Sequence, residues 1–99
     1  MEHQDAAQIL RELGNTTRLA IFRYLVKVGH EGVSVGQIQK ELEIPGSTLS
    51  HHLSRLVSVG LIKQDRSSRT LFCSAQYDNL QGLIDFLQSE CCTGLDRSS

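Results

Sequence analysis

Two helical patterns separated by only three residues, Glu43-Ile44-Pro45, and followed at once by two strand patterns around a polar turn, constrain this 99-residue chain more than anything else in it. The upstream helix opens on Ser34 and Gln37, a Ser-x-x-Gln capping box whose side chains can satisfy first-turn backbone donors, and runs to about Leu42 with Ile38 and Leu42 facing inward. Pro45 stands where the next helix begins, because its missing N–H costs nothing in a first turn. That helix is expected to reach about Val59 and to end at Gly60. Leu61-Ile62-Lys63-Gln64 and Thr70-Leu71-Phe72-Cys73-Ser74 then flank Asp65-Arg66-Ser67-Ser68-Arg69, which reads as a β-hairpin with a basic tip. Helix, short turn, helix and hairpin make the winged helix-turn-helix plan, mainly α with a small β component.

The flanking segments are helical. Residues 4–13 place Ala6, Ile9, Leu10 and Leu13 at helical spacing before Gly14. Asn15-Thr16-Thr17 offers N-cap chemistry to a core-forming helix carrying Leu19, Ile21, Phe22, Leu25 and Val26, closed by Gly29. His30-Glu31-Gly32-Val33 reads as a turn with at most a short strand. A last helix over residues 78–92 sets Leu80, Leu83, Ile84, Leu87 and Cys91 on one stripe, with Cys92 about 100° away. The apolar stripes of the first and last helices exceed what so small a domain can cover, which predicts a homodimer through those two helices; packing within one monomer is the alternative. The expected organisation is one DNA-binding and dimerisation domain over residues 1–92 and a flexible tail over residues 93–99.

No apolar run is long enough for a membrane span and the N-terminus is acidic and polar, so a soluble cytoplasmic protein without membrane contact is expected. There is no Cys-x-x-Cys, no Gly-rich phosphate loop after a strand and no Ser/His/Asp constellation, which argues against an enzyme. Three cysteines cannot form a complete set of intrachain disulfides, and in a reducing compartment free thiols ligate metal, sense redox chemistry or serve as small hydrophobes.

Charge is unevenly spread. Residues 46–75 hold Arg55, Lys63, Arg66 and Arg69 against Asp65 alone, a net +3 in a chain of net −1. A basic face on an otherwise acidic protein suits duplex DNA, where phosphate neutralisation dominates affinity. In the helix after Pro45, Leu49, Leu53 and Leu56 share one side, while Ser47, His51, Ser54 and Ser58 lie opposite. Short hydroxyls and an imidazole can approach base edges in a major groove, and hydroxyls near a helix N-terminus join backbone amides on phosphate. Ser47, Thr48, Ser50, His51 and Arg55 are therefore candidate DNA contacts, with Arg66 and Arg69 along the backbone or in the adjacent minor groove. A solvated face, or a winged helix that binds protein, are the alternatives. His51 and His52 are adjacent and diverge by about 100°, a poor metal pair. His52 is expected at the edge of the core, and His3 and His30 at the surface.

On these residues the chain resembles the ArsR/SmtB family of bacterial metal-responsive transcription repressors. The likeness spans Ala7 to Cys92. It rests on Leu13-Gly14-Asn15-Thr16-Thr17-Arg18-Leu19-Ala20-Ile21, on Ser47-Thr48-Leu49-Ser50-His51-His52-Leu53-Ser54-Arg55-Leu56, and on Val59-Gly60-Leu61-Ile62 leading into the wing. The resemblance implies a homodimer that holds double-stranded operator DNA when ligand-free and releases it on binding metal or metalloid. It also implies DNA contact at Ser47, Ser50 and His51. Two departures stand out. Ser34 and Gly36 occupy the positions of the arsenite sensors' Cys-Val-Cys, and no histidine lies between Tyr77 and Cys92 to supply the zinc-sensing site. Glu90-Cys91-Cys92-Thr93-Gly94 instead resembles arsenic-responsive members with a vicinal pair near the C-terminus.

Trivalent arsenic and antimony are thiophilic and favour a three-sulfur pyramid, whereas structural zinc favours four ligands. The expected inducer is therefore trivalent arsenic or antimony on Cys73, Cys91 and Cys92, with no permanently bound cofactor. Cys73 shares a strand face with Leu71 and Cys91 lies on the last helix's inward stripe, so such a site would bridge wing and dimer helix. Two other chemistries remain open: a disulfide between Cys73 and Cys91 or Cys92 in a redox or reactive-sulfur sensor, and a two-sulfur site for organoarsenicals.

Overall fold

Side-chain caps open two of the helices where the sequence places their starts. In a computed structural model, which describes residues 1–95, the elements run α1 His3–Leu13, α2 Thr16–Val28, β1 Val33–Ser34, α3 Val35–Leu42, α4 Gly46–Ser58, β2 Ile62–Ser67, β3 Thr70–Ala75 and α5 Tyr77–Gln88. The Asn15 side chain accepts the Arg18 N–H at 2.9 Å and opens α2. Ser34 Oγ accepts the Gln37 N–H at 3.1 Å and opens α3. Glu43, at φ 53, turns the chain out of α3, and Pro45 is the N-cap of α4 rather than its first helical residue. The connector is thus the three residues expected.

The wing differs from its sequence reading in two respects. β2 and β3 pair antiparallel from Ile62↔Ala75 through to Ser67↔Thr70, so the reversal is confined to Ser68-Arg69 instead of spreading over residues 65–69. Ser68 takes φ 58, the left-handed conformation that tight hairpins use to match strand twist. Arg66 therefore lies on a strand, while Arg69 is at the tip. Secondly, the sheet has three strands in the order β1-β3-β2, because Val33 and Ser34 pair with Cys73 and Phe72. Cys73 is the central strand's fully buried residue.

Leu49, Leu53 and Leu56 of α4 pack with Ile21 and Leu25 of α2, Ile38 of α3 and Leu61, Ile62 and Cys73 of the sheet. α4 is thereby seated on the core by its apolar stripe, with its opposite face in solvent. α1 and α5 contribute Ala6, Ile9 and Leu83. On these same helices Leu10, Ile84 and Leu87 stay exposed, so the apolar stripes are only half covered within one chain.

The end of α5 is a correction to the sequence reading. The helix stops at Gln88, not at Cys92, and Ser89 is extended at φ −59, ψ 143. Two physical causes coincide there. Ser89 Oγ and Thr93 Oγ1 donate to the Phe86 and Glu90 carbonyls, at 2.7 and 2.9 Å, a local bonding pattern that competes with helix. Past Phe86 the chain also packs nothing on the core, so tertiary packing does not sustain further turns. Cys91 is consequently not on an inward stripe. No helix among the described residues is long and apolar enough to cross a membrane. Of the expected tail, residues 96–99 lie outside the described residues.

Candidate nucleic-acid interface and thiol pair

The outer face of α4 presents Ser47, Thr48, Ser50, His51, Ser54 and Ser58 to solvent. Their hydroxyls are not equivalent. Ser54 Oγ and Ser58 Oγ turn back onto the His51 and Arg55 carbonyls at 2.8 and 2.7 Å. Ser47, Thr48 and Ser50 make no side-chain hydrogen bond among the described residues, which leaves the first turns of α4 free to donate and accept. Arg66 and Arg69 are exposed on the hairpin and form no ion pair among the described residues, whereas Lys63 and Asp65 are a long, exposed pair at 3.9 Å.

Arg55 is placed differently from the other candidates. Its Nη2 and Nε donate to Glu12 Oε1 and Oε2 at 2.6 and 3.1 Å, pinning α4 to α1. Glu12 is buried, and Arg18 Nη1 donates to Glu12 Oε2 and to the Glu12 carbonyl at 2.8 and 3.0 Å. Arg18 Nε also donates to Nδ1 of the buried His52 at 3.3 Å, so this ring is a neutral acceptor at the core edge. One carboxylate thus ties together α1, α2 and α4. This cluster escaped the sequence reading, although a signal existed: Glu12 stands three residues after Ile9 on the apolar stripe of α1, where a charge needs a partner.

Hydrogen bonding by Arg55 holds the Glu12 carboxyl below its ordinary 4.5 against the opposing effect of burial, with Arg18 adding to the depression. Burial, with the Arg18 and His51 charges, holds His52 below its ordinary 6.5. Both groups bind protons less readily folded than unfolded, so the unfolded chain takes up more protons and stability rises with pH. His52's contribution is complete above 6.5 and Glu12's above 4.5, and each is lost as pH falls toward its folded value. Thermal midpoints taken from about pH 8 to about pH 4 should therefore fall in two stages. His52→Gln should remove the upper stage, and a midpoint flat between about pH 7 and pH 5 in the native protein would refute the assignment.

The structure brings together two of the three thiols. Cys91 and Cys92, both exposed, have their Sγ atoms 2.8 Å apart in the turn after α5, and the shared hydrogen bond raises the Cys91 thiol pKa. Cys73 lies inside the sheet, touched by Gln64 Nε2 at 3.5 Å, and burial pushes its thiol upward. Among the described residues no three His, Cys, Asp or Glu side chains are grouped to hold a metal ion. The three-sulfur site of Cys73, Cys91 and Cys92 is thus not assembled in this chain. The early end of α5 leaves the pair in solvent, and the core encloses the third sulfur.

Residues 7–65 match the helix-turn-helix domain family. Over 80 residues the chain is 35% identical to YceK, an uncharacterized HTH-type transcriptional regulator of Bacillus subtilis, covering 81% of this chain and 79% of that one. It is 30% identical over 87 residues to the transcriptional repressor PagR of Bacillus anthracis, covering 88% and 85% of the two chains. The crystal structure of PagR superposes with a TM-score of 0.69 over 85% of this chain and 93% of that chain at 30% identity. An ArsR-like transcriptional regulator from Rhodococcus sp. RHA1 has the same fold, with a TM-score of 0.77 at 21% identity over 87% and 78% of the chains.

Proposed function

This chain belongs to the helix-turn-helix domain family of DNA-binding transcriptional regulators, not to an enzyme family, and we propose that it is a homodimeric repressor of an arsenic-resistance operon. On this reading the two-fold dimer buries Leu10, Ile84 and Leu87, and each α4 enters a major groove with Ser47, Thr48, Ser50 and His51 on base edges and phosphates. Arg66 and Arg69 follow the flanking backbone. The protein acts in the cytoplasm, where its thiols stay reduced.

The observation that carries the inducer is the exposed Cys91–Cys92 pair, with sulfurs 2.8 Å apart at the end of a half-covered helix. Two adjacent thiols chelate a trivalent arsenic or antimony centre, each losing its proton as an arsenic-bound hydroxide leaves as water. The third position of the pyramid is taken by a non-sulfur substituent or by a sulfur of the second subunit. Closing that chelate reorganises residues 89–93 and, through Leu87 and Ile84, the spacing of the two DNA-reading helices. A coupling of about 1–3 kcal/mol lowers operator affinity about 5- to 150-fold.

The test is fluorescence anisotropy of the fully reduced protein on its own promoter DNA, titrated with arsenite, a trivalent organoarsenical, zinc and hydrogen peroxide. Arsenicals should release the DNA, Cys91→Ser or Cys92→Ser should abolish release, and Cys73→Ala should keep it. Release by peroxide alone would make the protein a thiol redox sensor. Absence of DNA binding would instead make it a protein-interaction module.

A further inference from the structure

Positive charge accumulates beside the C-terminal half of α4, next to Ser58 at the end of the serine face. Arg18 and Arg55 share the single carboxylate of Glu12, and Arg11 adds a third guanidinium near enough to lower the Glu12 pKa, which leaves a local surplus of two positive charges. Gln8, Arg11, Glu12, Arg55, Ser58 and Val59 line a cleft of about 280 Å³ there. Arg55 spends Nε and Nη2 on Glu12, while its Nη1 makes no hydrogen bond among the described residues. Arg11 likewise engages no side-chain partner among them, and Ser58 Oγ is committed to the Arg55 carbonyl. The free donors at this cleft are therefore two guanidinium edges and the Gln8 amide. One guanidinium is held rigid by a buried carboxylate behind it.

Fixed guanidinium edges around an open cleft suit an oxyanion with several acceptor oxygens, and pre-orientation of Arg55 lowers the entropy lost on binding it. Ser58 of the outer face lines the cleft together with Arg55, so the cleft borders the surface that α4 offers to a duplex. We propose that this cleft holds a phosphate of the DNA backbone beside the groove, with Arg11 of α1 and Arg55 of α4 as its contacts. The proposal rests on the DNA-binding reading and adds α1 to the DNA interface. Such a contact fixes register and affinity but carries no base sequence.

Arg11→Gln is a clean test because Arg11 takes no part in the hydrogen bonds that join the helices. Anisotropy of the full chain is measured over a range of potassium chloride on its promoter duplex and on an unrelated duplex of equal length. Losing one phosphate contact should flatten the slope of log K against log salt by about 0.9 for each bound protomer, and should weaken both duplexes alike. Lys27→Gln, which removes an equal charge from the last turn of α2, should leave the slope unchanged. If the native protein binds DNA and Arg11→Gln keeps its slope, the phosphate site is refuted while the DNA-binding reading stands, whether or not inorganic phosphate binds the protein. An equal loss of slope in Lys27→Gln also refutes it. If the native protein binds neither duplex, both readings fall together.

Discussion

Glu12→Ala should destabilise the protein by about 3 kcal/mol, a large share of what a domain this size has. The substitution removes the one anion that faces two guanidiniums, and Arg18, with its side chain 11% exposed, has little water to turn to. Arg18 keeps the Glu12 main-chain carbonyl and His52 Nδ1, but neither carries a compensating charge. Removing one partner from a buried ion pair costs about 3–5 kcal/mol; the low end applies here because Arg55, at 44% side-chain exposure, is screened by water. For a domain of this length that corresponds to a fall in thermal midpoint of about 12–24 °C. Circular dichroism melting at neutral pH measures it directly. A fall under about 4 °C would mean that solvent screens the whole cluster and that α1, α2 and α4 are joined by apolar packing alone.

Gly32→Ala acts at the sheet. Gly32 has φ 76, and a Cβ there would lie 2.6 Å from the Cys73 carbonyl oxygen and 3.2 Å from both the Cys73 carbonyl carbon and the Ser74 Cβ. The obstacle is chiefly backbone of the central strand, which cannot rotate aside. Left-handed conformation adds about 1–2 kcal/mol for an L side chain, and the overlap about 1–3 kcal/mol more. Relief requires β1 to separate from β3 at the Val33↔Cys73 pair, which would open the sheet over Cys73. Two readings should therefore change together in a Cys91→Ser, Cys92→Ser background, where Cys73 is the sole thiol. The urea midpoint should drop, and Cys73 should react with a thiol reagent far faster than in the same background with Gly32. Unchanged midpoint and unchanged reactivity would show that the strand tolerates the methyl by a shift of the turn.

Much of this fold was legible because its signals are local. Asn15 and Ser34 cap helices in the positions their sequence contexts indicate, and the stripe of Leu49, Leu53 and Leu56 faces the core as its spacing requires. The pairing of β1 with β3 was less legible, since two residues carry almost no periodicity and their partner strand lies about 40 positions later. Asp65 and Arg66 look like turn residues and predict a longer turn than the hairpin has, whereas an exposed strand tolerates them. The thiol site misled for a related reason. Cys91 continues a helical pattern on paper, but pattern alone does not hold a helix beyond Phe86, the last residue of α5 that packs against the core.

The sequence by itself determined where helices start, which face of α4 is apolar and which polar, and that a hairpin follows a helix-turn-helix unit. Those properties follow from backbone caps, side-chain period and turn length, all set by neighbours a few residues apart. Only the tertiary structure decided that Glu12 meets Arg55 across 43 positions, that Cys73 is sealed within a three-stranded sheet, and that Cys91 and Cys92 stand together in solvent. A charge finds its counter-ion, and a helix finds or lacks its last contacts, through packing between distant segments, and no local pattern encodes which segments those will be.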